Sequence, residues 1–148
     1  MSRIHIHISV DDLEQNIRFY SALFGAVPGV SKDDYAKWDL AEPAVNFAIS
    51  SRGARPGLDH VGIQAENAGE LAAVHTRLEA AGVSSVEQSN AACCYARSDK
   101  YWTRDPQGIA WEAFHTLDSI TTFNCQDADE AAPASGCCVP AMPGSGCC

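Results

Sequence analysis

The sequence predicts an α+β fold built from two tandem βαβββ modules. The segment IHIHISV, residues 4–10, alternates apolar and polar side chains as a strand with one buried face does. A helical pattern follows it, and the same order of strand and helix returns from residue 58. His5 and His60 occupy nearly equivalent places in the two first strands. A chain that repeats its element order in this way is typical of a duplicated unit.

Module one is predicted to span about residues 1–54. Asp11 or Asp12 caps its helix, because Asp is favoured at that position, and Gly25 ends it. The remaining strands are predicted near 27–31, at 35–40 and at 44–50. The apolar positions that recur at helical spacing are Leu13, Ile17, Tyr20, Leu23 and Phe24.

Module two is predicted to span about residues 55–117. Its first strand is LDHVGIQA, residues 58–65, and its helix covers residues 67–81 and ends at Gly82. The turn Asp105-Pro106-Gln107-Gly108 joins the last two strands. The three strands after the helix are predicted near 84–89, 97–104 and 109–116.

Residues 118–148 differ in composition from the rest of the chain. They are rich in Ala, Pro, Gly and Ser, contain four acidic residues and no basic one, and lack hydrophobic periodicity. We therefore predict one folded domain over residues 1–117 and a flexible tail over residues 118–148. The tail cysteines either collect metalloids and pass them on or bind them adventitiously; they are Cys125, Cys137, Cys138, Cys147 and Cys148.

Charge and hydropathy argue against several classes of partner. The 148-residue chain has 10 basic and 19 acidic residues, a formal net charge of −9. Nucleic acids and anionic membranes attract basic faces, so neither is an expected partner. The N-terminal segment lacks the pattern of a signal peptide, and no apolar run reaches the roughly 18 residues of a membrane span. The sequence therefore predicts a cytoplasmic protein with reduced thiols, and it leaves a homodimer open.

Two histidines and a carboxylate are candidates for a metal site. His5 and His60 lie in the first strands of the two modules, and Glu112 lies in the last strand of module two. If the modules pair their sheets around a cleft, these side chains converge from three strands. Two histidines and one carboxylate suit iron(II) and leave positions open for other groups. The alternative for a single strand histidine is a core or surface role, which is the commoner one; the tandem placement favours the metal site.

Other polar and aromatic residues are assigned lesser roles. His7 shares a face with His5 but lies about 6–7 Å further along the strand, which favours a place behind the ligands or in the core. His75 and His115 are expected to be structural or solvated, and Lys100 and Arg104 to be solvated. The aromatic residues that either line a pocket or pack in the core are Tyr35, Trp38, Tyr101 and Trp102.

Three segments carry a resemblance to a known superfamily. HISVDDLEQNIRFYSALFGA, LDHVGIQA and DPQGIAWEAF resemble the vicinal-oxygen-chelate superfamily, which includes glyoxalases, fosfomycin-resistance thiol transferases and extradiol dioxygenases. The resemblance covers about residues 1–117 and implies paired βαβββ modules with metal ligands at His5, His60 and Glu112. The fourth ligand of the glyoxalase pattern would fall near Asn46 or Phe47, neither of which is a good ligand. This departure favours an open site with three ligands.

Two further segments narrow the resemblance. YAKWDLAEPAVNFAI and NAACCYARSDKYWTRDPQG are similar to the organoarsenical carbon–arsenic lyases and their cadmium-induced relatives. This resemblance implies iron(II) as cofactor, with trivalent methyl or aromatic arsenicals and dioxygen as substrates. Arsenite and an oxidised carbon fragment are the implied products.

The adjacent pair Cys93-Cys94 suits an arsenical for chemical reasons. Trivalent arsenic is soft, and thiolates are the soft ligands of proteins. Two thiolates replace two hydroxyls of an organoarsenous acid and leave carbon as the third substituent. Neighbouring side chains of a regular strand point to opposite faces, so we predict that residues 90–95 form a loop. The alternatives are two small buried hydrophobes or a disulfide, which a reducing compartment disfavours.

The sequence thus predicts an iron(II)- and dioxygen-dependent enzyme that cleaves the carbon–arsenic bond of trivalent organoarsenicals and releases arsenite. Cys93 and Cys94 bind the substrate, while His5, His60 and Glu112 hold the iron. One rival is a resistance protein that binds cadmium or arsenite without catalysis, which needs the cysteines but no iron. The other is an extradiol-type dioxygenase, which needs the three metal ligands but no cysteines.

Overall fold

Both modules form in the element order that the sequence predicts. The computed structural model describes residues 2–123 and 139–140. Module one consists of β1 (Arg3–Ser9), α1 (Leu13–Phe24), β2 (Val30–Lys32), β3 (Tyr35–Leu40) and β4 (Val45–Ser50). Module two consists of β5 (Gly57–Gln64), α2 (Ala68–Ala80), β6 (Val86–Cys93), β7 (Ala96–Arg104) and β8 (Ala110–Ser119). The predicted βαβββ repeat is confirmed.

Asp12 and Gly25 define the two ends of α1. The Asp12 carboxylate accepts a hydrogen bond of 2.8 Å from the backbone N–H of Gln15, so Asp12 rather than Asp11 is the cap. Gly25 ends the helix with a φ of 63°, a left-handed conformation that a side chain would strain. In module two, Asn67 caps α2 in the same way by accepting from the N–H of Glu70. Within the described part of the chain, neither helix has the length and apolarity needed to cross a membrane.

The eight strands form one mixed sheet, curled into a half-barrel, with the order β2-β3-β4-β1-β5-β8-β7-β6. The two first strands, β1 and β5, are antiparallel neighbours at its centre. Each is flanked on its other side by the last strand of its own module, with β4 parallel to β1 and β8 parallel to β5. The strands that carry His5, His60 and Glu112 are therefore three consecutive neighbours.

The two faces of the sheet differ in chemistry. Alternation along β1 directs Ile6 and Ile8 toward α1, where they pack against an aromatic core that contains Trp38 and Phe47. The opposite, inner face receives the histidines. It also carries most of the buried polar side chains of the described residues, and burying such groups is costly unless they are bonded. The complete set of buried polar and charged side chains among the described residues is His5, His7, Ser9, Asn46, Ser50, His60, Ser98, Lys100 and Glu112.

Folded structure continues beyond the predicted boundary at residue 117. Strand β8 runs to Ser119, and Phe123 is 5% exposed. The Phe123 ring packs against Tyr35 and Tyr95, and Val139 joins the same cluster. The folded part therefore extends at least to Phe123, because this side chain supplies apolar surface that module one buries. The rest of the predicted tail, residues 124–138 and 141–148 with its five cysteines, lies outside the described residues.

Candidate functional site

Strands β1 and β5 bring the two predicted histidine ligands together. The ladder pairs His5 with Gly62 and His7 with His60, so His5 and His60 lie diagonally across neighbouring strands. Their Nε2 atoms are 3.1 Å apart, and both side chains are buried. Two imidazoles from different modules thus present ring nitrogens to one point.

Strand β8 adds the predicted carboxylate. Glu112 lies opposite Gly62 in the parallel ladder of β5 and β8. Its Oε2 atom is 3.5 Å from Nε2 of His60 and 3.9 Å from Nε2 of His5. The structure therefore gathers all three predicted metal ligands around one small volume.

Neighbouring oxygens fix the orientation of each imidazole. Nδ1 of His60 lies 2.7 Å from Oδ1 of Asp59. Nδ1 of His5 lies 3.1 Å from both the backbone oxygen and Oδ1 of Asn46. Because these oxygens accept, each Nδ1 donates its N–H, and a neutral ring then presents a lone pair on Nε2. Two lone pairs and a carboxylate oxygen that face one another fit a cation held between them.

Burial, hydrogen bonds and neighbouring charges shift the pKa values of the three clustered side chains. Burial and the neighbouring His60 lower the pKa of His5 to about 4. Burial opposes a charge on His60 as well, but its hydrogen bonds with Asp59 and Glu112 prevail and raise its pKa to about 9. Burial also disfavours ionised Glu112, yet Lys100 and His60 hold the pKa of this carboxyl well below its usual range. A single proton on the histidine pair thus stands where a divalent metal would sit.

Asn46 and Phe47, where the fourth ligand of the glyoxalase pattern would fall, both make other contacts. The Asn46 side chain uses its oxygen on His5 and its N–H on Gln64, at 3.0 Å. Phe47 packs in the aromatic core beneath α1. Asn46 therefore serves to orient a ligand.

His7 lies beside the cluster. Its ring centroid is 5.0 Å from that of His60 and 6.3 Å from that of His5, and its Nε2 lies 2.9 Å from Oγ of Ser50. Donor atoms of His5, His7 and His60 all lie within 4.8 Å of one another, so an all-histidine set is geometrically available too. In the set with Glu112 the donor atoms lie 3.1–3.9 Å from one another, and the carboxylate brings the anionic charge that a divalent metal prefers.

The predicted thiol pair lies at the tip of the β6–β7 hairpin. Strand β6 continues to Cys93, which pairs with Ala96, and Cys94 and Tyr95 form the turn with φ values of 57° and 61°. The prediction of a loop over residues 90–95 is thus wrong for most of the segment, because only this two-residue turn and a bulge near Asn90 leave extended geometry. Two positive φ values are typical of a type I′ hairpin. The turn places the two Sγ atoms 2.9 Å apart.

Contacts with module one anchor this turn. The Tyr95 hydroxyl donates a hydrogen bond of 2.5 Å to Asp34, which also pairs with Arg52. The Arg52 guanidinium lies 3.8 Å from the ring centroid of Phe123. The β6–β7 turn of module two is therefore bonded to module one, and these contacts fix the position of the thiols relative to the histidines.

The thiols and the histidine–carboxylate cluster line one cavity. Both cysteines contribute to its wall together with His5, His60 and Glu112. Hydrogen bonding with Cys94 and burial raise the pKa of the Cys93 thiol well above its usual range, against the opposing charge of Lys100. The Cys93 thiol is therefore protonated in the absence of a ligand that displaces its proton.

Lys100 is a residue of the cavity wall that sequence reasoning missed. The sequence predicts that it is solvated, but it is 5% exposed, and its Nζ lies 2.6 Å from Oε1 of Glu112. The sequence does contain a signal for this burial, because Ser98, Lys100 and Trp102 occupy alternate positions of β7 and so share one face. All three are buried. Arg104, by contrast, is exposed as expected.

The aromatic residues divide between the two expected roles. Tyr35 and Trp102 line the cavity. Trp38 belongs to the core beneath α1, and Tyr101 stacks on His75 with centroids 4.1 Å apart. Nδ1 of His115 is buried and has no hydrogen-bond partner among the described residues.

We expect Gly62→Ala to damage the site through the backbone. A Cβ at this position would lie 2.2 Å from the carbonyl oxygen of Glu112, so β5 and β8 must separate. The free energy of unfolding should fall by about 3 kcal/mol, the upper end of the range for overpacking, as urea denaturation would measure. Gly29→Ala is the matched control, because a Cβ there meets nothing within 4 Å. Equal stability of the two variants would contradict this account.

Comparisons with known proteins agree with this architecture. Residues 3–113 match the model of the Glyoxalase/Bleomycin resistance protein/Dioxygenase superfamily. A Bacillus sp. protein named trivalent organoarsenical cleaving enzyme is 42% identical over 81% of this chain and 76% of its own length. The cadmium-induced protein CadI of Mycobacterium bovis is 35% identical over 83% of this chain and 82% of its own length.

A solved structure shares the fold at low identity. Homoprotocatechuate 2,3-dioxygenase from Arthrobacter globiformis superposes with a TM-score of 0.59 at 16% identity, over 80% of this chain and 37% of that one. The chain belongs to the Glyoxalase/Bleomycin resistance protein/Dioxygenase superfamily, in the group that contains the trivalent organoarsenical cleaving enzymes and CadI.

Proposed function

We propose that this protein cleaves the carbon–arsenic bond of trivalent organoarsenicals in the cytoplasm, with iron(II) as cofactor and dioxygen as cosubstrate, and releases arsenite. One observation carries the proposal: a histidine–carboxylate cluster that fits a metal and a pair of adjacent thiols line the same cavity. The name of the Bacillus relative supports the substrate class.

Substrate binding is an exchange of ligands on arsenic. An organoarsenous acid carries two hydroxyls, and each leaves as water with the proton of one thiol while an arsenic–sulfur bond forms. The exchange creates no net charge, which suits a site where burial disfavours ionisation of the Cys93 thiol. The dithiolate leaves the carbon substituent as the third group on arsenic. Because the thiols are fixed to the cavity wall, this carbon is held in the cavity that the histidines also line.

The metal would be held by Nε2 of His5, Nε2 of His60 and Oε2 of Glu112. When bound, iron(II) supplies a redox-active centre for the reduction of dioxygen, which zinc does not. Asp59 and Asn46 orient the two imidazoles. The overall reaction balances for methylarsonous acid and dioxygen, which give formaldehyde and arsenous acid. The carbon supplies the electrons that reduce dioxygen, and arsenic stays trivalent.

A non-catalytic thiol binder is the second candidate function. The name of CadI, cadmium-induced protein, favours it, as does the affinity of adjacent thiols for soft cations. This function would need Cys93 and Cys94 but neither the histidine cluster nor dioxygen. An extradiol-type reaction would need the cluster alone and leaves the thiols unexplained.

Turnover with and without air tests the proposal. We expect iron(II)-loaded protein to convert methylarsonous acid to arsenite in air, and to bind it unchanged under nitrogen. The zinc-loaded protein should bind the arsenical and release no arsenite, because the zinc ion has no accessible second oxidation state. Arsenic speciation by chromatography measures both results. Binding without arsenite in every arm would establish the thiol binder instead.

A further inference from the structure

The two oxygens of the buried Glu112 carboxylate have different neighbours. Nζ of Lys100 lies 2.6 Å from Oε1, whereas Oε2 is the oxygen near Nε2 of His60 and Nε2 of His5. Both partners are buried, with 5% exposure for Lys100 and 6% for Glu112. A contact this short between two buried charged groups is strong and directional.

The backbone of the neighbouring strands fixes the positions of Lys100 and Glu112. Trp102 pairs with Glu112 and Lys100 with Phe114 in the antiparallel ladder of β7 and β8, so Lys100 reaches Glu112 along a diagonal. Nζ of Lys100 lies 5.8 Å from the ring centroid of Trp102. On the other side of Glu112, β5 approaches so closely that only Gly fits at position 62. Strand β5 therefore fixes the backbone of Glu112, and the carboxylate cannot rotate without breaking its ion pair with Lys100.

We propose that Lys100 is a positioning residue, which holds Oε1 of Glu112 so that the carboxylate binds the metal through Oε2 alone. A carboxylate that used both oxygens would take two coordination positions, and one that uses a single oxygen leaves the second position open. This inference rests on the proposed metal role of Glu112. It extends that role by assigning to Lys100 the control of how many positions remain open.

Infrared spectroscopy of the manganese-loaded protein tests the assignment. Mn²⁺ is the probe because a hard cation prefers imidazole and carboxylate over the thiol pair. The separation between the two carboxylate stretching bands is wide when one oxygen binds a metal and narrow when both do. Difference spectra of loaded minus metal-free protein show these bands, and Glu112→Gln, which lacks them, assigns them to Glu112.

We expect a wide separation in the wild type and a narrow one in Lys100→Met, which keeps the stem and removes the ammonium group. Lys100→Gln, whose amide still donates a hydrogen bond, should restore the wide separation. Lys37→Met is the matched control, because Lys37 lines the same cavity but pairs with Asp39; its separation should equal that of the wild type.

Two results would overturn the inference. A narrow separation in the fully loaded wild type contradicts it whether or not the variants fold, and so does an unchanged separation in folded Lys100→Met. Either result leaves the proposed function standing. Failure of the wild type to bind Mn²⁺ at all, read from the electron paramagnetic resonance signal, would remove the metal centre and this inference together.

Discussion

Cys93→Ser and Cys94→Ser should each lower turnover of methylarsonous acid by about a hundredfold or more, with iron binding unchanged. One remaining thiolate still binds arsenic, but the carbon substituent then swings out of its fixed direction. A displacement of about 1 Å from the reactive geometry costs roughly this factor. The measurement is initial arsenite release at equal iron content, together with the affinity for the arsenical from isothermal titration.

The control for these variants is a protein whose tail cysteines are all replaced by serine: Cys125, Cys137, Cys138, Cys147 and Cys148. Substitution is preferable to truncation after Leu117, because truncation removes the buried Phe123 as well. We expect the control to retain turnover within about twofold, since the proposed site holds its two thiols on the β6–β7 hairpin. If the tail variant lost turnover while Cys93→Ser kept it, the substrate would bind to the tail cysteines instead.

His60→Ala should abolish turnover and weaken iron binding by more than about a hundredfold. Loss of a partner behind a ligand already costs about 10–100-fold in metal affinity, and loss of the ligand itself should cost more. His5→Ala and Glu112→Ala should behave alike, because all three donor atoms face one point. Binding of the arsenical should survive in each variant, since arsenic and iron use separate ligands.

His75→Ala is the matched control for the histidine variants. Its ring stacks on Tyr101 beside α2, outside the residues that line the cavity. We expect wild-type iron affinity and turnover from this variant. If a well-folded His60→Ala variant lost arsenical affinity along with iron, the separation of the two ligand sets would be wrong.

Local patterns in the sequence predict the modules and the five residues of the candidate site. Alternation, helix caps and the repeat place His5 and His60 on equivalent strands, and the sheet order then makes these strands neighbours. Cys93 and Cys94 are conspicuous because they are adjacent. In each case the information lies within a short segment or in the comparison of two segments.

The contacts that fix the site depend on register between distant segments, which local patterns do not contain. The sequence alone predicts that Lys100 lies at the surface, and only the alignment of β7 with β8 places it beside Glu112. Tyr95 likewise has no predicted role, because its hydrogen bond with Asp34 joins distant segments of the chain. Phe123 is similar, because its apolar neighbours come from β3 and from the hairpin turn. Long-range contacts thus bury Lys100, which the sequence predicts to be solvated, and Phe123, which lies in the predicted flexible tail.

X-ray absorption at the arsenic edge tests the central claim, that one cavity holds the arsenical on two thiols and breaks its carbon–arsenic bond. The sample is wild-type protein with iron(II) and methylarsonous acid, measured under nitrogen and again after air is admitted. We predict two sulfur neighbours and one carbon neighbour under nitrogen, and loss of the carbon neighbour in air. A carbon neighbour that persists in aerated, iron-loaded protein would contradict the account.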